Sequence, residues 1–145
     1  MCMKKLVYLF VTTLFLTVFS LESNAQCNAD GYSNDCIPKL SGGFNFLKSY
    51  KIDGVGGSKS KVEYSYVFTK GTQYMINLCA EGANADGIVV SIYDSKRQKV
   101  GTSVYKGQHV TAMAYPCNST GIYYISYTFE ESTKYCGGSA LGFKR

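Results

Sequence analysis

A tetrapeptide occurs twice in this chain, as Asn28-Ala29-Asp30-Gly31 and again as Asn84-Ala85-Asp86-Gly87, and the first copy is followed by Asn34-Asp35. Oxygen-bearing side chains at alternate positions beside a glycine are what a calcium loop uses. A hard cation wants several oxygen ligands, and the glycine permits the sharp turn that gathers them. On that chemistry Asp30, Asn84 and Asp86 are the candidate calcium ligands, and no other cofactor is expected. Neither copy carries the later bidentate glutamate. Asn-x-Asp-Gly is equally the composition that an ordinary turn demands.

Tyrosine is the most distinctive residue type, with 13 copies against no tryptophan. Tyr123 and Tyr124 are adjacent, so on a strand they point to opposite faces. With Tyr123, Ile125, Tyr127 and Phe129 turned to a core, Tyr124 lies outward and can be joined there by Tyr93 from another strand. Exposed rings stack on sugars, which is why binding modules display them, and Tyr93 and Tyr124 are the candidate ligand-binding residues. The alternative is a pair of half-buried sheet residues with wet hydroxyls.

Catalytic groups do not assemble into a constellation. The single histidine, His109, works as a general base only beside a nucleophile and an orienting carboxylate, and no Gly-x-Ser-x-Gly elbow exists. Glu130 and Glu131 are sequence neighbours, so on a strand they diverge and cannot flank one glycosidic bond. The expectation is a protein that is not an enzyme. Asn118-Ser119-Thr120 matches a glycosylation sequon, and Pro116 and Gly121 around it make a plain turn an equal explanation.

The N-terminus reads Met1-Cys2-Met3-Lys4-Lys5, then an apolar run from Leu6 to Leu21, then Ser23-Asn24-Ala25-Gln26. A basic n-region, an apolar h-region and a small-x-small end define a secretory signal peptide cleaved after Ala25. A retained span is the alternative, because the run approaches the lower limit of about 17 residues. Glu22 and the absence of a basic stop-transfer cluster favour cleavage, which leaves no stable membrane span and places the mature chain outside the cytoplasm, secreted or in the periplasm or cell envelope.

Export changes the meaning of the cysteines. Cys2 leaves with the signal, and Cys27, Cys36, Cys79, Cys117 and Cys136 remain in an oxidising compartment, where they are disulfide candidates first. Cys27 and Cys36 bracket a short polar loop and can close it. Two of Cys79, Cys117 and Cys136 can join strands, leaving the third as a free thiol or an intermolecular partner. The lone histidine and the lack of a CxxC spacing argue against zinc. The net charge of +5 is scattered over groups such as Lys59-Ser60-Lys61 and Lys96-Arg97-Gln98-Lys99 at turns. That pattern reads as solvated loop charge, with no nucleic-acid partner, and leaves anionic lipid or polysaccharide as an electrostatic partner.

The elements that must position these residues are strands. From Phe44 onward short alternating segments are separated by Gly, Asp and Lys turns. Val62, Tyr64, Tyr66 and Phe68 share one face of a strand, Tyr74, Ile76 and Leu78 repeat the alternation, and Ile88 to Tyr93 reads as buried on both faces. Lys99 to Val104 and His109 to Tyr115 are weaker, Gly121 to Phe129 is strong, and Tyr135 to Phe143 is the last. Apart from the signal, no segment shows a sustained helical period. The expectation is an all-β, antiparallel, jelly-roll-like β-sandwich of roughly seven or eight strands. It covers residues 44–145 and follows a cysteine-bearing segment at 26–43 and the signal peptide at 1–25. A small eight-stranded outer-membrane barrel is the architectural alternative, with strands of roughly 10 residues.

The stretches Tyr64-Ser65-Tyr66-Val67-Phe68-Thr69-Lys70-Gly71-Thr72-Gln73-Tyr74-Met75-Ile76-Asn77-Leu78, Ala85-Asp86-Gly87-Ile88-Val89-Val90-Ser91-Ile92-Tyr93-Asp94 and Gly121-Ile122-Tyr123-Tyr124-Ile125 resemble the bacterial pre-peptidase C-terminal domain. The likeness runs from Tyr64 to Phe129. It implies a small β-sandwich of the kind appended to secreted proteases and other extracellular enzymes. Some members bind calcium through a loop with two acidic residues. Here only Asp86 matches, and Val89 stands where a second acid would fall. The functional expectation is a non-enzymatic secreted or envelope-associated binding or adhesion module for an extracellular glycan or protein. Its rival is an accessory or inhibitory domain for a secreted protease.

Overall fold

The computed structural model describes residues 26–145, and the signal-peptide reading lies outside the described residues. A helix, α1 (Ala29–Cys36), precedes the strands β1 (Asn45–Asp53), β2 (Lys61–Phe68), β3 (Gln73–Ala80), β4 (Ile88–Tyr93), β5 (Lys99–Thr102), β6 (Val104–Tyr105), β7 (Gln108–His109), β8 (Ala112–Pro116), β9 (Gly121–Phe129) and β10 (Cys136–Lys144). Two four-stranded sheets run in the orders β1-β10-β3-β8 and β2-β9-β4-β5, and β6 and β7 form a separate short hairpin. Every strand pair is antiparallel. With the short hairpin set aside, each connection except β4 to β5 crosses from one sheet to the other. That is the jelly-roll arrangement of a sandwich, as the alternation of the strands leads one to expect. The outer-membrane barrel is corrected: both sheets keep free edges, and their inner faces pack on each other instead of closing into one ring.

The alternation that defines β2, β3 and β9 sends Tyr64, Tyr66, Phe68, Tyr74, Tyr123 and Tyr127 inward. Phe68 stacks on Tyr74 at 3.8 Å between ring centroids and on Tyr123 at 4.8 Å. Ile88, Val90 and Ile92 of β4 and Ile125 and Tyr127 of β9 complete a core in which each is no more than 1 % exposed. Full burial of such side chains contributes about 1.5–3 kcal/mol apiece. The Tyr127 hydroxyl, which burial would otherwise leave unpaired, donates to Ser139 Oγ at 2.8 Å.

Two expectations for the N-terminal segment are corrected. Helix is present: Ala29–Cys36 forms two turns, with Asn28 at the N-cap accepting from the Gly31 N–H at 3.1 Å. Alone, a helix so short is unstable in water. It is held by packing on the outer face of the first sheet, where Gly138 of β10 lets it approach so closely that a Cβ there would overlap the Ser33 backbone. The loop-closing pair Cys27 and Cys36 also does not form. Cys27 joins Cys136 and Cys36 joins Cys79, because the intervening helix carries Cys36 down onto β3 and away from Cys27. Among the described residues Cys117 is the free thiol, and it is buried.

Candidate functional site

The second sheet turns one face to the core, and on its outer face Val89, Ser91 and Ser126 are buried, at 3 %, 5 % and 2 % exposure, while Tyr93, Tyr124, Val67 and Ile122 reach the surface. On β4 the core takes Ile88, Val90 and Ile92, so Val89, Ser91 and Tyr93 face out; on β9 the outward set includes Ile122, Tyr124 and Ser126. Tyr93 and Tyr124 are register partners across β4 and β9. The two rings that the sequence singles out are thus brought together, both half-buried. Beside them Val67 and Ile122 are register partners across β2 and β9, and they are 57 % and 49 % exposed.

A polar group borders the rings. The β4–β5 turn is built on Asp94, whose carboxylate accepts from the backbone N–H groups of Lys96 and Gln98, both at 2.9 Å. That turn holds Arg97 in the left-handed region at φ 63°. The Arg97 guanidinium consequently lies over the Tyr124 ring, 3.5 Å from its centroid, and donates to Glu63 of β2 at 2.7 Å. Lys61 also pairs with Glu63, at 3.2 Å, and the Lys99 ammonium stands 5.8 Å from the Tyr93 ring centroid. Partial burial works to raise the Glu63 pKa. Hydrogen bonds from Arg97 and Lys61 outweigh it and hold the carboxyl below the usual glutamate value. A cation over the face of an aromatic ring is attracted by its quadrupole, and it occupies the surface on which a sugar would stack. Sequence reasoning missed Arg97 and Glu63 because 34 residues separate them.

The repeated tetrapeptide forms two unlike structures. Its first copy starts α1, and Asp30 there is exposed and pairs with Lys51 at 2.7 Å. The second copy is a tight turn before β4 in which Ala85 and Asp86 both have positive φ. The Asp86 carboxylate accepts from Ser132 Oγ at 2.5 Å, Thr133 Oγ1 at 2.9 Å, and the N–H groups of Thr133 at 3.1 Å and Lys134 at 2.9 Å. It ties this turn to the β9–β10 connection. Burial works to raise its pKa, and these donors, Ser132 first, hold it below the ordinary aspartate value. Asn84 precedes that turn, its carbonyl accepting from the Gly87 N–H at 3.2 Å. Among the described residues no three of His, Cys, Asp and Glu are grouped as metal ligands would be.

His109 faces Glu131, with Nε2 3.8 Å from Oε2, and its Nδ1 is buried without a partner. No nucleophile stands in hydrogen-bond reach of it among the described residues. A second unpaired group lies on the outer face of the first sheet. Asn77 of β3 is 3 % exposed, and its Oδ1 is buried with no partner. Such an orphan costs about 1–3 kcal/mol. Asn77 helps line a cavity of ≈ 280 Å³, and no periodic or motif signal in the sequence marks it.

No protein-family model matches the chain, and no curated protein does. Similar solved structures include PliG, a periplasmic lysozyme inhibitor of g-type lysozyme from Aeromonas hydrophila. It is 11 % identical, with a TM-score of 0.46 over 72 % of this chain and 91 % of that one. They also include the pre-peptidase C-terminal domain of a collagenase from Bacillus anthracis, 13 % identical, with a TM-score of 0.44 over 67 % of this chain and 86 % of that one. The latter belongs to the family that Tyr64 to Phe129 resembles.

Proposed function

We propose that the mature chain is a non-enzymatic, extracytoplasmic binding module that engages an extracellular protein through the outer face of the β2-β9-β4-β5 sheet. The observation that carries this reading is the cross-strand pair Tyr93 and Tyr124, bordered by Arg97 and by the exposed Val67 and Ile122. Tyrosine and arginine on a half-apolar face are the residues that supply most of the energy in protein interfaces. With Arg97 over the Tyr124 ring, a protein contact suits the face better than a stacked glycan. Two disulfides support an oxidising compartment.

The test immobilises the purified exported protein and presents it with extracellular and envelope proteins from its own source and, separately, with a polysaccharide panel. The expected result is retention of a protein partner that Tyr93→Ala/Tyr124→Ala loses while its melting midpoint stays near that of the parent. A retained protease would give the module an accessory or inhibitory role. Retention of polysaccharide alone, or of protein equally by the double variant, would overturn the reading.

A further inference from the structure

Each sheet of the sandwich leaves two edge strands, and an edge offers a row of unpaired N–H and C=O groups to an extended chain. Three of the four edges carry features that discourage such pairing. β1 has a register shift between Phe46 and Lys48 and bears Lys48 and Lys51. β5 has four residues and a register shift between Ile92 and Tyr93. β8 has five residues and ends on Pro116, which has no N–H to give. β2 differs. It keeps its register with β9 unbroken from Lys61 to Phe68, and among the described residues no strand pairs with its other side. Its second half, Tyr64-Ser65-Tyr66-Val67-Phe68, is uncharged and free of proline, and all but Ser65 are of types that favour strands. A shallow depression of ≈ 400 Å³ lies here: Ser65, Tyr66 and Val67 line it together with Ile122 of β9. Val67 and Ile122 are both exposed.

Charge decides what fits this edge. Exposed lysines stand at both ends of the uncharged window, Lys59 and Lys61 before it and Lys70 after it. Glu63, the one acid on β2, already holds Lys61 and Arg97, and among the described residues Lys59 and Lys70 pair with no carboxylate. An antiparallel second copy centred on the window would set the leading lysines of one chain against Lys70 of the other, and like charges across strands destabilise a pair. A strand with acidic ends and β-branched residues between them meets no such opposition. We infer that the edge of β2 takes up an extended, acid-flanked segment of a partner protein as a fifth strand of the β2-β9-β4-β5 sheet. The ladder uses the free backbone groups of residues 64–68, an apolar side chain of the segment sits in the depression against Val67 and Ile122, and the end carboxylates face the lysines. The inference rests on the reading that this sheet engages a protein, and it adds the mode of engagement and the chemistry of the segment.

The test titrates the purified exported protein, by calorimetry and amide NMR, with three capped synthetic peptides. One is Glu-Glu-Thr-Val-Thr-Val-Thr-Glu-Glu, the second has lysine for every glutamate, and the third has its central Thr-Val replaced by Pro-Pro. The expected result is saturable binding of the acidic peptide, with amide exchange slowed at alternate residues of β2 and unchanged at β5 and β8. The lysine peptide should bind roughly tenfold more weakly, because exposed charge pairs turn from attraction to repulsion, and the proline peptide not at all, because it lacks the ladder N–H groups. Val67→Lys should abolish binding with a melting midpoint near that of the parent, and Ser65→Lys serves if that variant does not fold. Lys59→Glu/Lys70→Glu should reverse the preference between the acidic and the lysine peptides. No binding of the acidic peptide, equal binding of the proline peptide, an unreversed preference, or a dimer of the protein that protects the β2 edge in place of the peptide would overturn the inference. The retention assay separates it from the face reading: a partner lost from Tyr93→Ala/Tyr124→Ala while the acidic peptide fails to bind removes the edge and leaves the face.

Discussion

Asp86 and the alanine before it both adopt the left-handed conformation, with φ of 53° and 51°, which aspartate tolerates and alanine does not favour. The carboxylate supplies the reason, since it gathers the donors of Ser132, Thr133 and Lys134 and fixes the turn against the β9–β10 connection. Asp86→Ala is expected to destabilise the protein by about 1.5–3 kcal/mol, the range for hydrogen bonds to a charged group. Asp86→Asn should cost less, because asparagine also tolerates the left-handed region and keeps one acceptor. The urea midpoints of the two variants check both statements. The same carboxylate sets an acid limb. Its folded pKa lies below the ordinary 3.8 and that of Glu63 below the ordinary 4.5. Stability from a depressed carboxyl is complete above the unfolded value and disappears as pH falls through the folded one, so it is lost below about pH 5. Asp86→Asn should flatten that limb; an unchanged acid titration of stability would contradict this account. Saturating calcium is expected to leave the wild-type melting midpoint unmoved, since a ligand that binds only the folded state raises it. The oxygens of Asp86 already hold protein donors. The tetrapeptide was legible as turn chemistry or as a cation loop. The donors that the second copy's carboxylate meets, at 132–134, lie 46 to 48 residues away and carry no signal in the tetrapeptide itself.

Among the elements, β2, β3 and β9 could be read from alternation, because a sheet with one face on a core imposes a period of two on its sequence, and β4 from its unbroken apolar run, which marks a strand buried on both faces. The outward setting of Tyr124 followed from the same rule, whereas its meeting with Tyr93 depends on β4 pairing with β9, which alternation does not specify. Two elements escaped it. The stretch from Lys99 to Pro116 breaks into β5, a two-residue hairpin pair and β8, pieces too short to establish a period. Helix α1 has eight residues, and its stability comes from the sheet beneath it and the disulfide at its end. The signal for it resides in Gly138, 102 residues beyond Cys36. Gly138→Ala is therefore expected to act on the helix. The added Cβ meets the Ser33 backbone, and overpacking of this kind costs about 1–3 kcal/mol. Amide hydrogen exchange should show protection falling across Ala29–Cys36 while the β2-β9-β4-β5 sheet keeps its own. Uniform loss of protection over both sheets would show instead that α1 and the sandwich unfold as one unit.

At the scale of the whole molecule the two disulfides have different tasks, and loop length does not rank them. Cys27–Cys136 spans 109 residues and Cys36–Cys79 spans 43. The chain-entropy relation assigns each about 4–5 kcal/mol, with a difference of under about 1 kcal/mol in favour of the longer loop. Cys36 and Cys79 are 0 % and 5 % exposed and form a second apolar cluster with Ala140, with Leu40 and Ile37 packed around it. Removing that bridge therefore empties packed volume and releases α1 together, whereas Cys27, at the start of the described chain, is half-buried. Cys36→Ala/Cys79→Ala is expected to lower the unfolding free energy more than Cys27→Ala/Cys136→Ala, the reverse of the loop-length order. Denaturant unfolding of the two variants decides it, and an order that follows loop length would mean that the α1 clamp adds nothing beyond chain entropy. Alkylation mapping of the exported protein should find these two bridges and modify Cys117 only after denaturation, since its thiol is buried against Ser119 and Tyr123. A Cys27–Cys36 bridge in that map would restore the loop read from spacing alone and remove the clamp on which the ranking depends.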